Sequence, residues 1–224
     1  MAASHGLDEY LEAVYILESE NVSVIGARVA DFLGVKAPSV TEAMHKLEKR
    51  GLVQLDDHHV ASLTPQGLER AESLIRRHRI AERWLTDVVG LDWAQADVEA
   101  HKLEHALSME VADRLSKMME DPRTCPHGNP IPGNWEKPSY YGLTLDALSP
   151  GDEVIVERVL EHAEVDLKLL RYLWQHGLLP GAHLTMIDTV DGADMVTLLR
   201  DGHEVSLGTR AASKIQVRPA KPVP

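Results

Sequence analysis

KAPSVTEAMHKLEKRGLV, residues 36–53, is the stretch that decides the fold. Pro38 suits the first turn of a helix, where its missing N–H breaks no hydrogen bond. Val40, Met44 and Leu47 recur at helical spacing as one apolar stripe, and Gly51 ends the run. Alongside that stripe lie Lys36, Ser39, Thr41, Glu42, His45, Lys46, Lys49 and Arg50. Small hydroxyl and basic side chains near a helix N-terminus can reach base edges and phosphates.

Upstream, Leu7 to Leu17 and Val24 to Leu33 also carry the helical period, and Gly34 is a C-cap. Arg28 on the second of these helices could touch a DNA backbone. Downstream, Leu52 to Leu55 and His59 to Leu63 read as a short hairpin. Helix, helix, helix, hairpin within about sixty residues is the order of a winged helix-turn-helix. The wing tip, Asp56-Asp57-His58-His59, carries two carboxylates that repel phosphate, so the wing is expected to add little affinity.

Thr64-Pro65 caps and opens a long helix expected to run through about Val89. A further helix is expected from Trp93 to about Met119, on the spacing of Leu103, Leu107, Val111, Leu115 and Met118. Between Asp121 and Pro150 lie six of the twelve prolines, so this is an irregular loop or linker. Beyond it come strand-like runs at 152–160, His183 to Val190, Met195 to Arg200, Glu204 to Leu207 and Lys214 to Val217, with a short helix at 164–176. Asp191-Gly192 and Asp201-Gly202 are hairpin turn signals. Short strands with tight turns indicate a small β-barrel. The fold class is therefore mainly α with a small β part. Its expected domains are a winged helix at 1–64, a helical domain at 65–142, and a small β-barrel at 143–224.

The chain has 224 residues and a net charge of -12, which argues against indiscriminate nucleic-acid binding. With one cysteine, Cys125, no internal disulfide can form. No stretch approaches the ~20 apolar residues of a membrane span. The expectation is a soluble cytoplasmic protein with no membrane partner. Cys125, His127 and His162 are read as inert or surface residues.

Part of the acidity clusters with imidazoles at helical spacing. Glu9 and Glu12 lie three apart, His78 and Glu82 four apart, and Asp97, His101, Glu104 and His105 line one turn after another. Side chains so spaced share a helix face. Three such faces could enclose two divalent ions. Every donor is carboxylate or imidazole, which suits Mn(II) or Fe(II) rather than the soft ions that sulfur favours. HKLEH, residues 101–105, also matches the H-x-x-E-H signature of inverted zinc peptidases. A catalytic zinc keeps about three protein ligands and an open position, and this chain offers more donors than that. No catalytic residue is expected.

With these motifs in view, the chain resembles the diphtheria toxin repressor family of metalloregulators, with its iron-type and manganese-type branches. The matching segments are DEYLEAVYILE (8–18), residues 36–53, LTPQG (63–67), RRHRIAERWL (76–85), LEHALS (103–108) and HGNPIPG (127–133). The barrel at 143–224 is similar to that family's third, SH3-like (FeoA-type) domain, and the resemblance makes 65–142 its helical metal-binding and dimerisation domain. The resemblance implies a homodimer that binds a palindromic operator when metal is bound, as a repressor of metal-homeostasis genes.

It also implies residue roles. The position matching Glu9 is a Met ligand in iron-type members and an Asp in manganese-type ones. The position matching His101 is a Cys in the first and a Glu in the second. Glu104 and His105 match a shared ligand pair, Glu12 a manganese-type ligand, and His78 and Glu82 ligands of an ancillary site. Asp97 stands where iron-type members have a His ligand. Asp166, or alternatively Glu164, matches a ligand given by the barrel in some members. With no sulfur at either discriminating position, manganese is expected over iron.

Overall fold

The computed structural model describes residues 6–135, 139–161, 166–190 and 194–220. The head consists of α1 (Leu7–Ser19), α2 (Gly26–Leu33), α3 (Ala37–Lys49), β1 (Val53–Leu55) and β2 (Ala61–Leu63). The apolar stripes read from the sequence meet in one core of Leu11, Val14, Val29, Val40, Met44, Leu47 and Val53. Gly34 ends α2 in the left-handed conformation, φ 63°. β1 and β2 pair antiparallel, Val53 opposite Leu63. Asp56 builds the wing tip rather than merely charging it. Its Oδ1 accepts the N–H groups of His58 and Val60, both at 2.8 Å.

Thr64 joins head to body. Its hydroxyl accepts the Gly67 N–H at 3.0 Å and donates to Gly51 O at 2.6 Å. A Cβ on Gly67 would sit 1.8 Å from Leu52 O, so only glycine allows the helix to approach the wing this closely. Helix α4 (Pro65–Trp84) passes into one π-helical turn, Leu85–Val89, stopped by Gly90. Such turns often lie beside functional sites.

The single helix expected from Trp93 to Met119 is two: α5 (Trp93–Leu103) and α6 (Met109–Met118). Ser108 breaks the run by capping α6, its hydroxyl accepting the Val111 N–H at 3.3 Å. Val111 and Met118, buried in a continuous-helix reading, are exposed. Glu104 and His105 therefore stand at a helix end and not on a helix face.

The last unit contains β3 (Leu143–Thr144), β4 (Glu153–Val159), α7 (Leu167–Gln175), β5 (His183–Val190), β6 (Met195–Arg200), β7 (His203–Gly208), α8 (Thr209–Ala212) and β8 (Ile215–Pro219). Its strands form one antiparallel sheet in the order β3-β8-β4-β5-β6-β7. Register shifts at Val156/Arg158 and Met186/Asp188 bend it around its core. Asp201 and Gly202, both at positive φ, make the β6–β7 turn. The Asp191-Gly192 turn signal, Glu164 and His162 lie outside the described residues.

This β unit is docked on the body. Trp93 and Ala94 of α5 belong to the same core as Leu170, Leu173 and Leu184. Arg79 reaches from α4 to Glu161, with Nε–Oε1 at 2.8 Å and Nη2–Oε2 at 2.7 Å, both partners buried. Arg79 also donates to Pro130 O. The loop at 124–133 lies against β4: Val159 N–H donates to His127 O, and Asn129 Nδ2 to Val159 O, each at 2.9 Å. Among the described residues no helix is long and apolar enough to cross a membrane.

Candidate metal centre

The head brings Glu12 to the body. It lies on the buried face of α1, where the charges of Glu104 and His78 of the body act on its carboxyl in opposite senses. Glu9, one turn earlier, is half-buried and accepts the Gly6 N–H at 3.5 Å. The spacing of the pair is as expected, but Glu12 is the member held in the interior.

On the body, His78 Nδ1 lies 2.6 Å from Glu104 Oε2. The other oxygen of Glu104, Oε1, is 3.3 Å from His105 Nε2. His101 stacks edge-on against His78, ring centroids 4.7 Å apart, and its Nδ1 is 3.7 Å from Asp97 Oδ1. Donor atoms of His78, Asp97 and His101 all fall within 4.8 Å of one another. Glu12, His78, Glu82, Asp97 and Glu104 are buried, whereas His101 and His105 face outward. The structure thus gathers Glu12, His78, Asp97, His101, Glu104 and His105.

Burying this many carboxylates has electrostatic consequences. Burial and the charge of Glu104 push Glu12 up to about 8. Burial would depress His78, yet its hydrogen bond to Glu104 and the charges of Glu82, Glu104 and Asp97 push it up to about 10. Burial and the charge of Glu82 raise Asp97. Oε1 of Glu12 is buried with no hydrogen-bond partner, and Oε1 of Glu104 has only its ion-pair contact with His105. An unpartnered carboxylate oxygen is costly in the interior. Oxygens of this kind beside imidazoles fit a divalent cation, so the residues present suit one. In H-x-x-E-H terms, α5 ends at Leu103, and Glu104 is bound to His78 rather than aimed at a cleft.

Glu82 turns to a different side. Its Oε1 is 3.1 Å from His127 Nδ1, and Cys125 adjoins both. Burial would raise Glu82, but His127, His78 and Cys125 together bring it down to about 2. His127, read from sequence as a surface residue, is 0% exposed, and Cys125 is 1% exposed. The reason is tertiary: the proline-rich loop folds under Trp93, whose ring lies 4.3 Å from that of His127. Sequence reasoning also passed over Arg79 and Glu161, whose only visible signal was a basic run, Arg76 to Arg79. Asp166 caps α7, its carboxylate accepting the N–H groups of Lys168 and Leu169 at 3.1 and 3.2 Å, and it lines a cleft with Asp31 and Lys214.

For DNA contact, Arg28, Lys36, Pro38, Ser39, Thr41, Glu42, His45 and Lys46 are all exposed. Lys46 Nζ is 2.6 Å from Glu42, and Thr41 Oγ1 donates to Ala37 O. Elsewhere Val88, Val89 and Val98, from the π-turn and α5, form exposed apolar surface.

Three family profiles match the chain in order. They are described as the iron dependent repressor N-terminal DNA binding domain (residues 4–60), the iron dependent repressor metal binding and dimerisation domain (64–133), and the FeoA domain (143–219). The iron-dependent repressor IdeR of Mycobacterium tuberculosis is 35% identical over 219 residues, covering 93% of this chain and 94% of that protein. The diphtheria toxin repressor of Corynebacterium diphtheriae is 35% identical over 195 residues, covering 87% and 84%. Among solved structures, a manganese-dependent transcriptional repressor in complex with manganese superposes with a TM-score of 0.83 at 30% identity, covering 96% of this chain and all of that one. The manganese regulator SloR does so at 0.78 and 29%, covering 97% and 100%.

Proposed function

The chain belongs to the iron-dependent repressor family of metal-dependent transcriptional regulators, and on that footing we propose that it is a Mn(II)-responsive repressor of metal-homeostasis genes. In this reading it binds a palindromic operator as a homodimer and takes two ions per subunit, within domains spanning 1–64, 65–142 and 143–224. One observation carries the reading: Glu12 of the head is buried with an unpartnered carboxylate oxygen, within the electrostatic reach of Glu104 and His78 of the body.

A bound divalent cation would supply the positive charge that these carboxylates lack. Glu12, with Glu9 beside it, would hold the head's end of the site, and His101, Glu104 and His105 the body's end. His78, Glu82 and Asp97 would serve a second ion. Joining α1 to α5 in this way fixes where α3 stands relative to the body. In a dimer it therefore sets the spacing of two recognition helices, which must match half-sites about one helical turn apart. Coupling of this kind is typically ~1–3 kcal/mol. The exposed Val88, Val89 and Val98 supply apolar surface that a second copy could cover.

The preference for manganese rests on Glu9 and His101, neither of which offers sulfur. Iron is the second reading, favoured by the iron-dependent relatives. The test uses a duplex selected by the Mn(II)-loaded protein from a random pool. Its affinity is measured without metal, with Mn(II), and with Mn(II) on Glu104→Ala, and the series is repeated with anaerobic Fe(II). Mn(II) should tighten binding about tenfold or more, ~1.4 kcal/mol, and the variant should lose that gain. Equal affinity in all three Mn(II) arms overturns the proposal, and a response to Fe(II) alone reassigns the ion.

A further inference from the structure

The Glu82–Cys125–His127 cluster adjoins the centre just described and shares Glu82 with it. We propose that these three residues form a further metal site, for a thiophilic divalent ion of the Zn(II) or Fe(II) type. It does not depend on DNA binding.

Three chemically different donors converge from two parts of the chain. Glu82 lies near the end of α4, just before the π-turn. Cys125 and His127 come from the loop after α6. A carboxylate oxygen, a thiol sulfur and an imidazole nitrogen lie within 4.8 Å of one another, all buried. His127 Nδ1 is 3.1 Å from Glu82 Oε1 and 4.0 Å from Cys125 Sγ. In a tetrahedral site, bonds of about 2.3 Å to sulfur and about 2.0 Å to nitrogen put those two donors roughly 3.5 Å apart. A shift of a few tenths of an ångström would close the triad on an ion.

The loop is built to hold these donors still. Gly128 N–H donates to Cys125 O at 3.0 Å, closing a tight turn with Pro126 at its second position. Cys125 N–H donates to Asn129 O at 2.8 Å. Gly128 sits at φ 90° against β4, where a Cβ would fall 2.4 Å from Glu157 O. Carbonyl and side-chain bonds to Val159 fix the other edge. The ring of Trp93 walls the site from water. Two flanking donors on a short turn, opposed by a helical carboxylate, form a rigid and dry donor set.

The ligand chemistry sets the class of ion. Thiolate with imidazole favours Zn(II), Fe(II) or Co(II) over Mn(II). The thiol proton leaves to solvent as the ion binds, as at any thiolate site. Three protein donors leave a fourth coordination position unfilled by this chain's triad. Glu82 also faces His78. An ion beside Cys125 therefore draws on the carboxylate expected to serve the second ion of the other centre, and the two sites compete for it.

Cys125 is the only cysteine, so a sulfur signal has a single source. Full-length reduced protein is titrated with Co(II), then with Zn(II), while ultraviolet absorption and bound metal are followed. The wild type should develop sulfur-to-cobalt charge-transfer absorption and lose it as Zn(II) displaces Co(II). Cys125→Ser should lack the band. His127→Gln should weaken the band-forming site by about tenfold or more, the loss typical even of groups that only support a ligand. Glu104→Ala should keep the band. Circular dichroism reports whether each variant is folded. A folded wild type saturated with Co(II) but lacking the band overturns the proposal, as does a Cys125→Ser protein that keeps it.

Discussion

Replacing Glu12 with Gln should stabilise the metal-free protein while abolishing its response to metal. The native Glu12 carboxyl is pushed up to about 8, against its ordinary 4.5 in an unfolded chain. Between those values the native state holds a proton that the unfolded state has released, so stability falls as pH rises across the window. At about 1.4 kcal/mol per pH unit over roughly 3.5 units, the accumulated cost at pH 8 is about 5 kcal/mol. Gln has nearly the same shape and never ionises. The gain should be close to nil near pH 4.5 and about 5 kcal/mol at pH 8, a rise in Tm of roughly 10–20 °C for a chain of this size. The assay is thermal denaturation in chelator at both pH values, with operator binding measured in parallel under Mn(II). A metal-free Glu12→Gln protein that melts at or below the wild type at pH 8 refutes the claim that a buried carboxylate without its cation costs stability here. Retained activation by Mn(II) refutes Glu12 as the link between head and body.

Metal uptake should release protons. Glu12 at about 8 and His78 at about 10 both hold protons at neutral pH that a bound cation displaces, so affinity should climb as pH rises from 5 towards 8; calorimetry in two buffers of different ionisation enthalpy reads this, and a flat profile contradicts it. Arg79→Met leaves Glu161 buried without its partner, which should cost about 3–5 kcal/mol and loosen the β domain. Faster hydrogen exchange at Val159 would show the loosening, and unchanged exchange would mean that Trp93 alone holds the interface. Ser39→Ala combined with Lys46→Ala should weaken operator binding, reduce the dependence of log affinity on log salt by about one, and leave metal content unchanged. Loss of metal by that variant would show the head's surface to be structural.

Much of the fold was open to reading in advance, because local rules govern it. The stripe of Val40, Met44 and Leu47, the Pro38 start and the Gly34 cap each act within one turn of helix, and all stand as read. The same holds for Asp201-Gly202, whose positive φ values are a property of the dipeptide. The reading failed where a local signal competed with a longer pattern. Apolar spacing ran on from Trp93 to Met119, but the Ser108 hydroxyl captured the Val111 N–H and split the helix. That split moved Glu104 and His105 from a helix face to a helix end.

The shared helix faces of Glu9 with Glu12, His78 with Glu82, and Asp97 with His101 were open to reading in advance, because helix geometry places residues three and four apart on one side. Which of them are buried, and which carboxylate of α1 faces the body, was decided by how α1 packs on α4. Arg79 finds Glu161 across 82 positions of chain. Cys125 and His127 leave the surface only because the 124–133 loop is pinned between Trp93 and β4. Short-range chemistry is written into neighbouring residues. Burial, and with it the charge state of Glu12, His78, Glu82 and Asp97, depends on segments far apart in the chain, and only the packed structure brings them together.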